Sequence, residues 1–115
     1  LVKEIPDPFF QKMLSYIDEN IDDETLSSEK LCDKFAISKS ALYNKTKSIL
    51  GTTPHSLINQ RRLSKAATLL KSTSMTVSEI IDQNGFTSRT HFYDLFNKAY
   101  GCSPSEFRIK SADSR

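Results

Sequence analysis

Two groups of side chains suited to reading nucleic-acid base edges recur along this chain. Ser40, Tyr43, Asn44 and Lys47 fall at i, i+3, i+4 and i+7, which is one face of a helix. Arg89, Thr90, Tyr93 and Asn97 share the free face of a second helical segment. An Arg guanidinium matches guanine and an Asn amide matches adenine, each through two hydrogen bonds, and hydroxyls serve either. Lys39, Lys45, Lys47, Arg61, Arg62, Lys65 and Lys98, with the Asn97 amide, are the candidates for phosphate contact. Such contacts hold a protein on a duplex without carrying sequence information. Catalytic chemistry has no comparable footing. There is no Ser-His-Asp order, metal-ligand spacing or Gly-rich phosphate loop, so no enzyme, metal or cofactor is expected. Cys32 and Cys102 are too far apart in sequence to suggest a metal pair and are read as small buried fillers.

These groups sit in two loose copies of one unit. Ala36-Ile37 and Gly85-Phe86 each precede a hydroxyl residue (Ser38, Thr87) and about a dozen helix formers. Both copies end in Gly-x-[ST]-Pro, at Gly51 to Pro54 and Gly101 to Pro104. The offset is 49 at the turn and 50 at the glycine, so the second copy holds one extra residue. Between them runs PHSLINQRRLSKAATLLK (54–71), read as one helix. At ~1.5 Å per residue it is a rod of ~27 Å.

The net charge of +2 conceals an asymmetry. Residues 1–34 carry nine acids and four bases, and residues 35–115 carry twelve bases and five acids. From Lys34 to Ser78 there are eight bases and no acid. That segment suits a polyanion, although a solvated basic surface would read the same way. No apolar run approaches the ~20 residues of a membrane span, so no membrane contact is expected. The chain starts at Leu1, which suggests a piece of a longer protein.

The positioning elements follow from periodicity and caps. Residues 1–25 read as a linker and an N-terminal helix at about 8–20, with Phe10, Leu14, Ile17 and Ile21 on one face. Residues 26–53 read as a first helix-turn-helix unit, with Leu31 and Phe35 inward and a helix at 39–50 burying Leu42, Ile49 and Leu50. The connecting helix turns Leu63, Ala66, Ala67 and Leu70 inward, and Arg61, Arg62 and Lys65 should reach solvent or a ligand. Residues 72–110 read as the second unit. It has a capping box at Thr76-x-x-Glu79 and a turn at Gly85. A helix at about 88–99 buries Phe92, Leu95, Phe96 and Ala99, and a short last helix ends near Arg108. Residues 111–115 are tail. No strand pattern is visible. The fold class is therefore all-α, with seven helices in two helix-turn-helix subdomains joined by the long helix.

A helix-turn-helix lays its second helix in the major groove. Two such helices on one side would enter successive segments, ~34 Å apart. That gap exceeds the rod, so a rigid pair would need bent DNA. A protein-interaction module that binds DNA weakly is the alternative, with the acidic N-terminal segment as its docking surface.

The tandem units and the motif Gly-Phe-Thr-Ser…Phe…Phe-x-Lys-x-Tyr-Gly-Cys-Ser-Pro-Ser-Glu-Phe-Arg (85–108) resemble the DNA-binding domain of the AraC/XylS family of bacterial transcription regulators. The resemblance spans about 26–108. It implies promoter DNA as ligand, a cytoplasmic setting, and a homeodomain-like form for each unit. Position by position it places base readers at Ser40, Tyr43 and Asn44, and at Arg89, Thr90, His91 and Asp94. The acidic helix ahead of the core is similar to output domains of hybrid two-component regulators. This implies a regulatory or receiver domain of the same chain, a second copy, or RNA polymerase as further partners. Asp94 departs from a basic residue common in the family and can accept from cytosine or pair with Lys98. Asn84 departs from an apolar residue, and Ile81 from alanine.

Overall fold

The computed structural model describes residues 7–113. It contains α1 (Pro8–Glu19), α2 (Ser28–Phe35), α3 (Lys39–Leu50), α4 (Pro54–Ser72), α5 (Val77–Gln83), α6 (Arg89–Tyr100) and α7 (Pro104–Asp113), with no strand among the described residues. Most of the expected linker (1–6) and the end of the tail (114–115) lie outside them.

Helix starts are set by short polar side chains that take up otherwise unpaired backbone N–H groups. Asp7, Ser27, Ser38, Thr53, Thr76 and Ser88 each accept from an N–H two or three residues on. At α5 the Glu79 carboxylate also reaches back to the Thr76 N–H at 3.1 Å, which closes the capping box. Pro54 opens α4, where a missing N–H costs nothing. Gly51 and Gly101 end α3 and α6 in the left-handed region, both at φ 72°.

The turns of the two units close alike. Ile37 N–H donates to Cys32 O at 3.1 Å, and Phe86 N–H to Ile81 O at 3.4 Å. The residue before each donor is left-handed, Ala36 at φ 51° and Gly85 at φ 73°. This is the Schellman closure. The caps that follow are Ser38 and Ser88. Thr87 is therefore the extra residue of the second copy, and from the caps onward the copies run in step at an offset of 50.

Burial falls into two clusters. Phe10, Met13, Ile17, Ile21, Leu26, Leu31, Cys32, Leu42, Leu57 and Ile58 form the first, with Phe9, Tyr16 and Phe35 packed edge to face beside it. Leu63, Ala66, Ala67, Leu70, Ile80, Ile81, Phe86, Phe92 and Phe96 form the second. α4 serves both, since Leu57 and Ile58 belong to one and Leu63 onward to the other.

Four local expectations need correcting. Ile49 is 47% exposed; Thr46 is buried instead, its hydroxyl donating to Leu42 O at 2.7 Å. The buried stripe of α3 thus runs 42, 46 (i, i+4), and position 49 rotates out. Ala99 is exposed, since α6 buries the larger Phe92 and Phe96. α7 runs on to Asp113, into the expected tail. Nothing in Arg108-Ile-Lys-Ser-Ala stops a helix, and Phe107 anchors it against Phe96 at 5.4 Å between ring centroids. The fourth concerns Arg62 and belongs with the interface.

Candidate nucleic-acid interface

α3 and α6 carry the base-reader candidates and are built alike: 12 residues, a serine cap at one end and a left-handed glycine at the other. Burying Leu42 and Thr46, or Phe92 and Phe96, turns the opposite faces out. Ser40, Tyr43 and Asn44 are all exposed, as are Arg89, Thr90, His91 and Asp94. In register, Ser40 matches Thr90, Tyr43 matches Tyr93, and Asn44 matches Asp94. Tyr43 is 48% and Tyr93 43% exposed, and the Tyr93 ring also meets Phe92 edge to face at 5.7 Å between centroids. Asp94 makes no ion pair with Lys98 or with any other described residue. Asn84 is fully buried. Its Nδ2 donates to Ile80 O at 2.7 Å, and its Oδ1 has no partner. This departure from the family pattern is a feature of packing and leaves the exposed face untouched.

The candidate phosphate contacts divide into free and engaged groups. Lys47, Lys65, Asn97 and Lys98 are exposed. Lys39 pairs with Glu29 at 2.9 Å; this bond holds the Glu29 carboxyl below its ordinary range and raises Lys39. Lys45 pairs with Asp7 at 3.3 Å and lies 5.3 Å from the Phe9 ring centroid. Arg61 holds Asp18 through both ends of its fork, with Nε to Oδ1 at 2.8 Å, which raises its pKa. Exposed pairs of this kind are weak and screened by salt, and they can exchange for phosphate.

Arg62 is different, and the expectation that it reaches solvent is wrong. It is 7% exposed, its Nε donates to Ile21 O at 3.3 Å and its Nη2 to Asp23 O at 2.7 Å. Burial pushes its pKa down, partly offset by the nearby Asp23 charge. Two adjacent arginines on a helix stand about 100° apart, so both could not face one ligand. The acid-free sequence around them carried no sign of which would turn inward.

A groove of about 580 Å³ runs beside α3, lined among others by Ser28, Lys39, Ser40, Tyr43, Asn44 and His55. Ser28 and His55 stand in the first turns of α2 and α4, where backbone N–H groups favour an anion. Sequence reasoning placed those caps but gave no sign that they converge on the α3 face. Among the described residues no three His, Cys, Asp or Glu side chains gather as a metal site. No helix among them is long and apolar enough to cross a membrane.

Two short helices displayed on one helical scaffold define a tandem helix-turn-helix module. The model of the family described as "Helix-turn-helix domain" matches residues 31–110. The chain belongs to that family and is an AraC/XylS-type DNA-binding domain of transcription regulators. It is 33% identical over 106 residues to the xylose operon regulatory protein of Escherichia coli K12, covering 92% of this chain and 27% of that protein. It is 38% identical over 85 residues to the transcriptional activator RhaS of Escherichia fergusonii, covering 74% of this chain and 31% of that one. Among solved structures, the C-terminal domain of AraT, a response regulator from Geobacillus stearothermophilus, superposes with a TM-score of 0.83 at 28% identity. That match covers 94% of this chain and 88% of the other. The chain thus spans less than a third of the length of these curated relatives.

Proposed function

We propose that this domain binds promoter DNA as a duplex, with α3 and α6 in successive major-groove segments. Ser40, Tyr43 and Asn44 read bases in the first segment, and Arg89, Thr90, His91, Tyr93 and Asp94 in the second. Asn44 is suited to adenine, Arg89 to guanine, and Asp94 accepts from a cytosine amino group. Lys47, Lys65, Asn97 and Lys98 hold phosphates directly, and Lys39, Lys45 and Arg61 do so after exchanging their carboxylates. Arg62 takes no part in phosphate binding. The observation that carries this reading is the matched pair of recognition helices, alike in length and caps, with polar faces free and the opposite faces buried, through Leu42 and Thr46 in α3 and Phe92 and Phe96 in α6.

In the whole protein this domain is the output end, acting in the cytoplasm. A regulatory or receiver domain of the same chain is its first partner, and a second copy and RNA polymerase follow on DNA. The likeness to a response regulator's C-terminal domain supports the receiver assignment.

Selection of binding sites from random duplexes, followed by titration across salt, tests the reading. The expected result is an enriched site with two conserved segments about one turn apart and an affinity that falls steeply with salt. No enrichment, with affinity indifferent to salt, would instead mark a protein-docking module.

A further inference from the structure

The two buried clusters part company on α4 at one residue. Ile58 belongs to the first and Leu63 to the second, and between them Arg62 turns into the seam. Its guanidinium holds the Ile21 and Asp23 carbonyls of the α1–α2 connector, at 3.3 and 2.7 Å. Gly85, in the α5–α6 turn, closes on the same point. A Cβ added there would lie 2.7 Å from Ile21 O, 3.0 Å from Arg62 Nη2 and 3.1 Å from Arg62 Nε. One node therefore joins the α1–α2 connector, which packs with the first cluster through Ile21, the connecting helix and the second unit's turn. It lies four residues ahead of Arg89, where α6 begins.

We propose that Arg62 is a positioning residue that sets the distance and angle between the two recognition helices. This rests on the two-segment DNA reading above. An apolar side chain would fill the seam at lower desolvation cost. It would not dictate a direction, whereas a planar guanidinium bonded to two fixed carbonyls does. With the node intact, binding of one helix leaves the other already aimed at the next groove segment. The second contact is then intramolecular and pre-organised. Without it, each unit still folds around its own aromatic core but the pair must be ordered on the DNA.

The test compares this chain with Arg62→Met and Arg62→Lys on three duplexes: the selected site, and two versions with one or the other segment scrambled. Arg62→Met should lose at least about tenfold on the intact site and less than about twofold on each single-segment duplex. Arg62→Lys, which keeps a donor but not the fork, should fall between. ¹⁵N relaxation supplies a measurement independent of DNA. The units of the parent chain should share one correlation time, and those of Arg62→Met, still hinged through α4, should show unequal and shorter apparent correlation times while keeping dispersed amide shifts. Equal losses on all three duplexes, or a shared correlation time in a folded Arg62→Met, would overturn the proposal. If Arg62→Met fails to fold, Arg62→Lys carries the same comparison. A parent chain that prefers no duplex would count against the DNA reading, and relaxation would still decide the role of Arg62.

Discussion

Arg61 Nε donates to Asp18 Oδ1 at 2.8 Å, so a carboxylate of α1 holds a cation of the connecting helix across 43 residues of chain. Glu29 does the same to Lys39 at 2.9 Å. Acids of the N-terminal third thus hold two of the cations proposed above for phosphate contact. Asp18→Asn and Glu29→Gln should each raise affinity for any duplex by about threefold at low salt and steepen the salt dependence, because exposed pairs are weak and screened. Fluorescence anisotropy on random and selected duplexes at several salt concentrations checks this. Unchanged affinity in both variants would mean these cations do not meet DNA.

Arg89 and Lys65 are both exposed cations and should behave differently. Arg89→Ala should cost about 1–3 kcal/mol on a selected site and little on random DNA, as expected for a side chain bonded to a base edge. Lys65→Ala should weaken all sequences alike and reduce the salt slope by about one. Equal losses on both kinds of DNA would reassign Arg89 to phosphate.

The first unit holds Ala36 at φ 51°, where the second unit has a glycine. An L-residue pays for that conformation and glycine does not. Ala36→Gly should therefore stabilise the fold by about 0.5–1 kcal/mol after its larger loss of chain entropy. Chemical denaturation measures it; a lower midpoint would contradict the left-handed assignment.

Gly51 and Gly85 share a positive φ, 72° and 73°, but not the same surroundings. Nothing lies within 4 Å of a Cβ added at Gly51, whereas at Gly85 the Ile21 carbonyl is 2.7 Å away. Gly51→Ala should cost about 1 kcal/mol from φ alone. Gly85→Ala should cost about 2–4 kcal/mol, because the node at Arg62 must open as well. Similar costs would show that the seam yields freely.

Glu79 has its carboxyl held below its ordinary 4.5 by the Thr76 N–H and hydroxyl. A folded pKa below the unfolded one means the bond stabilises fully above the unfolded value and is lost as pH falls through the folded one. Glu79→Gln should therefore lower the melting temperature near pH 6 and make a smaller difference near pH 3. A difference that does not shrink on acidification would show that the charge contributes nothing.

Much of the fold was legible because helix signals are local. Caps, capping boxes and terminal glycines act across two to five residues, and Ser38, Thr53, Thr76 and Gly101 all stand at the ends their types suggest. The misplacements have equally local causes. Ile49 reads as core by type, but the stripe of α3 passes through Thr46, whose hydroxyl is satisfied within the helix. Thr87 and Ser88 are chemically equivalent as caps, and only the bond from His91 N–H to Ser88 Oγ separates them.

The amino-acid order by itself determined seven helices, the duplication and the polar faces of α3 and α6, since each depends on side chains within a few turns of one another. Which of two neighbouring arginines would be buried was decided only in three dimensions. The partners of Arg62 lie 41 and 39 residues away, and Arg61 finds its carboxylate at 43. No periodicity carries that choice, because it arises where the two units close on each other around the connecting helix.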